Sequence, residues 1–280
     1  MTPAGTEALR EFAYSHRDFE RARRLIQQRA GISLAPCKED MVYGRLARRV
    51  RQHGLDSVGE YLDFLERADE AEEWQAFTNA LTTNLTAFFR EPHHFEVLRE
   101  LFGRIEGRRP LKLWSAAAST GEEPYSLAIS AVEHFGGFDA PVRILATDID
   151  TSVLDTGRRG VYPLQRVEKL SQERLRRFFR RGTGANEGQC RVVDELRSMI
   201  EFRPLNLLEG PWGLRGPFDA IFCRNVMIYF DKPTQYRVLS RLMPLLARDG
   251  LFFAGHSESF FHAADLLRSC GRTVYAHPGS

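Results

Sequence analysis

The feature that most constrains the fold is a repeated alternation of short apolar runs with helical segments from Leu111 onward. Each run is short and apolar, as buried strands are, and a segment with helical spacing follows the first run at 123–135. The strand candidates are 111–118, 142–150, 218–224 and 250–255, with 273–277 as a closing edge strand. This alternation predicts an α/β fold with a doubly wound, mostly parallel sheet.

Residues 1–80 predict a separate all-α domain, because apolar residues recur at helical spacing and strand-like alternation is absent before Leu81. Gly31 is expected to end the first helix. In the next helix, 41–51, one side of a helical wheel is apolar and the other is basic. The basic residues are Arg45, Arg48, Arg49 and Arg51. They either steer an acidic partner or form a solvated helix face.

Two further segments complete the predicted domain organisation. Residues 81–92 link the helical domain to the α/β domain, which spans 93–280. Residues 160–202 interrupt the strand–helix rhythm and predict a small inserted antiparallel β-subdomain with a hairpin. The glycines of its turn are Gly182, Gly184 and Gly188.

Composition narrows the class of protein. A chain of 280 residues suits two domains, and 43% hydrophobic with 27% charged residues is ordinary globular usage. A net charge of +2 argues against general nucleic-acid binding. Neither a signal-peptide core nor a run of roughly 20 apolar residues is present. The spacing of the cysteines predicts free thiols, so we expect a cytoplasmic protein.

Polar residues follow the first two predicted strands, where ligands of open parallel sheets bind. After the first strand, Gly121 lets the backbone turn close to a ligand. Glu122 and Glu123 would repel a pyrophosphate and suit a cationic ligand, or they cap the next helix. Asp148 ends the second strand and is placed to accept the hydroxyls of a ribose; the alternative is a helix N-cap.

The loop after the third predicted strand and the interdomain linker add further candidates. Arg224 and Asn225 follow the strand, and Tyr229 offers an aromatic face and a hydroxyl, unless it packs in the core. The linker contains Asn84, Thr86 and Arg90 beside two phenylalanines, which is typical of a lid over a cleft. Arg90 is either an orienting contact for a carboxylate or an ordinary surface arginine.

Two other patterns are less informative. Residues 255–259 resemble a nucleophile elbow, but Ser259 stands where the last glycine belongs. His93 and His94 are adjacent and lack the spacing of metal ligands on a helix, so no metal is predicted.

Together these segments resemble the chemoreceptor glutamate methyltransferases of the CheR family, most closely the enterobacterial type. The matching blocks are 81–95, 114–126, 146–150, 181–188, 218–231 and 255–259. The resemblance implies a Rossmann-like methyltransferase domain, with S-adenosylmethionine as donor and S-adenosylhomocysteine as product. It implies that glutamates of chemotaxis receptors are the acceptors, in receptor adaptation.

The resemblance also implies residue roles. The implied cofactor contacts are Asn84, Thr86, Arg90, Glu123, Asp148, Asn206, Leu207, Arg224 and Asn225. Arg90 and Tyr229 match the catalytic pair that flanks the reactive sulfur. The glycine-rich turn of the insert matches the type that docks a pentapeptide at the receptor C-terminus, and the basic face of helix 41–51 would meet the methylation helices.

Other functions fit the residues less well. A nicotinamide oxidoreductase needs a glycine-rich phosphate turn, which 115–123 does not provide. A nucleic-acid methyltransferase needs basic and aromatic stacking surfaces. A non-catalytic receptor adaptor would not need Asp148 or Arg90. We therefore expect a monomeric enzyme that neither binds nucleic acid nor inserts into a membrane.

Overall fold

The computed structural model describes residues 10–105, 107 and 110–279. The chain divides into two compact units, Met1–Thr83 and Asn84–Ser280. No helix among the described residues is long and apolar enough to cross a membrane.

The first unit is helical over its described part, apart from an isolated bridge between Ala13 and Ser57. Its helices are α1 (His16–Ala30), α2 (Glu39–Gln52), α3 (Val58–Ala68) and α4 (Ala71–Leu81). Ser15 and Asp18 form a capping box at the start of α1, and Gly31 ends it in the left-handed conformation. The predicted helical character and the stop at Gly31 are therefore confirmed.

The second unit contains a seven-stranded sheet of order β6-β2-β1-β7-β8-β10-β9 and a three-stranded sheet of order β3-β5-β4. The strands of the large sheet are β1 (Leu111–Ser115), β2 (Val142–Asp148), β6 (Ile200–Pro204), β7 (Phe218–Phe222), β8 (Leu246–Phe253), β9 (Arg268–Gly271) and β10 (Val274–Ala276). β6, β2, β1, β7 and β8 run parallel, and β10 and β9 are antiparallel. The predicted doubly wound α/β fold is confirmed.

The helices of the second unit connect these strands. They are α5 (His93–Ile105), α6 (Glu122–Phe135), α7 (Thr151–Arg159), α8 (Gln172–Phe178), α9 (Asp194–Arg197) and α10 (Lys232–Leu242). Strand residues alternate between the two faces of the sheet. On β1, Leu113 therefore packs in the cluster with α5 and α6, whereas Trp114 packs in the cluster with α10.

The small sheet lies within the predicted insertion. Its strands are β3 (Val161–Pro163), β4 (Phe179–Arg181) and β5 (Gln189–Val192), all antiparallel. The end of the predicted range is wrong, because Ile200–Pro204 pair with β2 in the large sheet. The prediction of an edge strand at 273–277 is also wrong. Val274–Ala276 lie between β8 and β9, and Arg268–Gly271 form the edge.

Gly157 marks the closest approach of α7 to the sheet. A Cβ atom at Gly157 would lie 2.5 Å from the Phe202 ring. We expect Gly157→Ala to destabilise the second unit by about 1–3 kcal/mol, since overpacking forces neighbouring atoms apart. Thermal and urea unfolding measure this effect.

Gly103 provides the matched control in the same unit. It lies inside α5, and the nearest atom to an added Cβ is His134 Cε1 at an ordinary 3.9 Å. Gly103→Ala should leave stability unchanged or raise it by about 0.5–1 kcal/mol, as alanine does inside helices. Equal effects of both substitutions would contradict tight packing at Gly157.

Candidate active site

The carboxyl ends of five parallel strands meet at one edge of the large sheet. The polar residues that the sequence analysis selected follow β1, β2, β6 and β7 at this edge, and the 255–259 segment follows β8. A ligand site of an open α/β sheet forms at such an edge, where the loops leave room between strands.

Asp148 is a buried acceptor at the end of β2. Its carboxylate accepts hydrogen bonds from the backbone of Ser119 at 2.8 Å and of Asp150 at 3.0 Å. Burial raises the pKa of Asp148 to about 6. The alternative role as helix cap belongs to Asp150, whose side chain accepts from the first turn of α7. The helix N-cap alternative for Asp148 is therefore wrong, and its ribose role stays a prediction.

Residues 84–90 lie across the ends of β1 and β2 and are fastened there. The side-chain amide of Asn84 donates to Asp150 at 2.7 Å, and the carbonyl of Asn84 accepts from the Ser119 hydroxyl at 3.2 Å. The backbone N–H of Phe89 donates to the Ser126 hydroxyl at 2.9 Å. From Asn84 onward, the segment predicted as a linker is thus part of the second unit.

The predicted residues of this segment lie at different depths. The guanidinium of Arg90 is half-buried and donates to the carbonyl of Leu85 at 2.7 Å. Its own carbonyl accepts from Arg224 at 2.5 Å. The carbonyl of Thr86 accepts from Arg166 at 3.2 Å. Arg90 is therefore held in place by backbone contacts rather than extended into solvent.

Glu123 and Arg224 form a buried ion pair between the loops after β1 and β7. Arg224 Nη1 lies 2.8 Å from Glu123 Oε2, and the Ser115 hydroxyl donates to Glu123 Oε1 at 2.8 Å. Glu122 is fully buried and accepts from the Thr120 hydroxyl at 2.6 Å. Within the described residues, Arg224 Nε and Glu122 Oε1 are buried without a hydrogen-bond partner. Arg224 Nε is thus available to a polar ligand, whereas Glu122 Oε1 lies 3.4 Å from Arg166 Nη2.

Asn206 and Leu207 follow β6 and lie beside Asp148. The backbone of Leu205 donates to the Asp148 carbonyl at 2.9 Å. The Asn206 side chain accepts from the Leu208 backbone at 3.0 Å, which fixes the turn, and Leu207 is buried. The structure thus brings three predicted residues to the same end of the neighbouring strands β2 and β6.

Glu258 is a residue at this edge that the sequence analysis missed. Its buried carboxylate accepts from the backbone of Asn225 and of Val226, both at 3.0 Å, and from Gly255. Burial raises the pKa of Glu258, although these N–H groups oppose the shift. The carboxylate therefore ties the loop after β8 to the loop after β7. In the sequence, Glu258 stands three residues after Gly255, the last residue of a predicted strand, and this spacing was the available indication.

The loop after β7 needs this support because its backbone is unusual. Asn225 has a φ of 59°, in the left-handed region. A Cβ at Gly255 would lie 2.2 Å from the Asn225 side-chain nitrogen, so only glycine fits there. Tyr229 ends the turn Met227–Tyr229, half-buried against the cluster beside α10. The alternative that Tyr229 packs in the core is thus met in part, and its role beside a cofactor stays a prediction.

The two adjacent histidines have a different setting from the one predicted. Glu91, His93 and His94 place one potential ligand atom each within 4.8 Å of one another, so their spacing does not rule out a cluster. Both Nε2 atoms lie 3.2 Å from the carbonyl of Arg272. Burial lowers the pKa of His94 to about 4, so His94 is neutral at physiological pH.

The arginines predicted to contact a receptor on α2 are mostly engaged within their own unit. Arg45 donates to the carbonyl of Ala80 at 3.3 Å. Arg49 pairs with the buried Glu73, and Arg51 pairs with Glu11. Arg48 is exposed. The predicted solvated basic face is therefore wrong in part, because Arg45 and Arg49 are half-buried.

The glycine-rich turn of the insert connects β4 to β5. A Cβ at Gly182 would lie 2.1 Å from the Asn186 carbonyl oxygen. Gly184 and Gly188 have φ values of 58° and 82°, which favour glycine. The turn thus depends on all three predicted glycines, and it leaves β4 at the edge of the small sheet.

Comparison with known proteins identifies the type of site. Residues 84–276 match the family described as CheR methyltransferase, SAM binding domain, and residues 17–82 match CheR methyltransferase, all-alpha domain. The chain is 57% identical to chemotaxis protein methyltransferase 2 of Pseudomonas aeruginosa, covering 98% of each chain. It is 54% identical to the chemotaxis protein methyltransferase of Salmonella typhimurium, covering 94% of this chain and 91% of that one.

The residues at this edge fit S-adenosylmethionine. A buried carboxylate such as Asp148 is suited to accept ribose hydroxyls, because its two oxygens can accept further hydrogen bonds besides those from Ser119 and Asp150. Arg224 Nε, which has no hydrogen-bond partner, offers a donor to the carboxylate of an amino acid, and the carboxylate of Glu122, which lies 3.4 Å from Arg166, offers an acceptor to its ammonium. A pyrophosphate would find no glycine-rich turn of the dinucleotide type here.

Affinity for S-adenosylhomocysteine should fall as the pH drops below about 6. Ribose hydroxyls donate to the ionised carboxylate of Asp148, and protonation below its pKa of about 6 competes with binding. The loss approaches tenfold for each pH unit, roughly 1.4 kcal/mol. Calorimetric titration from about pH 5 to about pH 8 measures it. Asp148→Asn should bind weakly with a flatter profile, and an unchanged wild-type affinity at the acidic end would contradict the ribose role.

Proposed function

Because the chain belongs to the CheR methyltransferase family, it is an enzyme that uses S-adenosylmethionine to methylate chemoreceptors, and we propose how its residues do so. The reaction forms methyl esters on glutamate side chains of the receptor. The proposal is carried by one observation: a buried acceptor, Asp148, and a buried Glu123–Arg224 pair lie together at the carboxyl edge of the parallel sheet.

We assign the cofactor contacts as follows. Asp148 holds the ribose, and Asn206 with Leu207 lies beside the adenosine part. Glu123, Arg224 and Asn225 surround the methionine part, with Glu122 as a second acid near its ammonium group. Asn84, Thr86 and Arg90 approach from the fastened segment 84–90.

The chemistry needs little from the protein beyond placement. When bound, S-adenosylmethionine supplies a methyl group activated by a positively charged sulfur. The acceptor glutamate has a reference pKa of about 4.3, so it is already ionised at neutral pH and needs no general base. Proximity and orientation can then supply about 7–11 kcal/mol of the rate acceleration.

Arg90 and Tyr229 are proposed as the residues nearest the acceptor carboxylate and the sulfur. Arg90 orients the carboxylate through its guanidinium, which its contact with the Leu85 carbonyl holds in place. Tyr229 lines the sulfur. An anion and a cation both become neutral in the reaction, so a strongly polar site would stabilise the reactants and slow the step. The mutual neutralisation of Glu123 and Arg224 limits the charge of the site.

Transfer of labelled methyl from S-adenosylmethionine to receptor, released as methanol by base, tests the function. We expect Arg90→Ala to lower kcat by about 100-fold, since misplacing a reactant by one ångström can cost that much. S-adenosylhomocysteine affinity should change far less. Arg99→Ala, an exposed arginine on α5, is the matched control. Loss of S-adenosylhomocysteine binding in Arg90→Ala would instead show that Arg90 serves mainly to bind the cofactor and would contradict its role in orienting the acceptor.

We propose further that β4 docks a peptide at the receptor C-terminus. β4 is an edge strand, and its residues Arg180 and Arg181 are exposed. An extended peptide can add to such an edge, and the arginines can pair with its acidic groups. Docking raises the effective concentration of the methylation sites without new contacts at the cleft. Arg48, an exposed arginine of α2, remains the candidate for steering the acid-rich methylation helices in the cytoplasm.

The docking proposal predicts a specific dependence on the receptor tail. Arg181→Glu should lower methylation of a receptor that carries the tail to the level of the same receptor without it, because the tether is lost. Methylation of the tail-less receptor should be unchanged, which provides the internal control. An equal loss on both receptors would contradict docking and indicate a defect in the cleft.

A further inference from the structure

Large apolar side chains are exposed beside the loops after β7 and β8. The exposed fractions are 92% for Phe261, 49% for Ile228 and 38% for Tyr236. A single exposed apolar residue needs no explanation, but a group that shares one end of the sheet indicates a contact surface.

The tie through Glu258 brings the segments that carry Ile228 and Phe261 close together. Its carboxylate accepts from the backbone of residues 225–228, so Ile228 lies against it. Phe261 follows three residues later, which limits the distance between the Cα atoms of Glu258 and Phe261 to about 10 Å. Tyr236 joins the same group, since its hydroxyl donates to Asp265 at 2.5 Å.

The backbone that carries these side chains is held in place. Phe260, the residue before Phe261, is buried in the cluster beside α10. The side chain of Gln235 donates to the carbonyls of Met227 and Phe230 at 2.9 and 3.0 Å, which fixes the turn that presents Ile228. Little conformational entropy is then lost when a partner covers these side chains.

The position of these side chains beside the proposed cleft indicates which partner covers them. Ile228 precedes Tyr229, which we place beside the reactive sulfur, so the surface is continuous with the cleft. A glutamate side chain is short, and the backbone that carries it must approach the rim of the cleft. The side chains next to the acceptor glutamate must then touch this rim.

We propose that Ile228, Tyr236 and Phe261 form the surface on which the receptor segment carrying the acceptor glutamate lies. This inference rests on the proposed methyl transfer to receptors. The surface, called the Phe261 surface, contacts apolar side chains that flank the acceptor. It is distinct from β4, which meets the receptor tail, and from Arg48 in the first unit.

The test compares Phe261→Ser with Phe261→Leu in the full chain, using a receptor fragment without the tail as substrate. Burial of a phenylalanine corresponds to roughly a tenfold or larger change in affinity. We expect Phe261→Ser to raise the KM for receptor about tenfold, with kcat and S-adenosylhomocysteine affinity unchanged. Phe261→Leu should retain most of the wild-type KM.

Three results would separate the possible failures. An unaltered KM in both Phe261→Ser and the double variant Ile228→Ser/Phe261→Ser would overturn the Phe261 surface. A change in sedimentation with an unaltered KM would assign the surface to a second copy of the chain and also overturn the proposal. If the wild-type enzyme itself transfers no methyl group to receptor, the proposed function fails, and the variants are then not compared.

Discussion

The buried guanidinium of Arg224 is the contact on which the arrangement of the cleft depends. It is buried, pairs with Glu123 at the start of α6 at 2.8 Å, and donates to the carbonyl of Arg90. Glu91 lies 3.4 Å from the same group. Three segments distant in sequence thus meet at one charge. Removal of Arg224 would leave Glu123 and Glu91 buried without their cation, and an uncompensated buried charge typically costs about 3–5 kcal/mol, a large part of the stability of a domain.

Periodicity was sufficient to predict the α/β architecture and several of its strands, because buried parallel strands are continuous apolar runs. It failed for Ile200–Pro204, whose Glu201 and Arg203 are exposed at the sheet edge. It also misplaced Val274–Ala276, because the polar Arg268–Gly271 gives no strand signal. A local pattern cannot report which strand another segment will pair with.

The site was predictable where a residue type directly follows a strand, as for Asp148 and Arg224. Glu258 was not, since its partners lie about thirty residues away and only the fold brings their N–H groups to it. The contacts of Arg45 and Arg49 likewise depend on α4 and were invisible on a helical wheel. Long-range hydrogen bonds thus separate the part of a site that sequence can identify from the part that it cannot.

Phe88 connects the edge strand β4 with the segment 84–90. Its ring lies 5.3 Å from Tyr162 on β3 and 5.5 Å from Phe179 on β4, while the adjoining residues 84–90 approach the cofactor. Phe88 thus joins the strand proposed to dock a peptide to the segment proposed to approach the cofactor. By thermodynamic linkage, if one ligand raises the affinity of the protein for the other, the second ligand raises the affinity for the first by the same factor. The receptor tail would then act as an effector of the enzyme as well as its anchor.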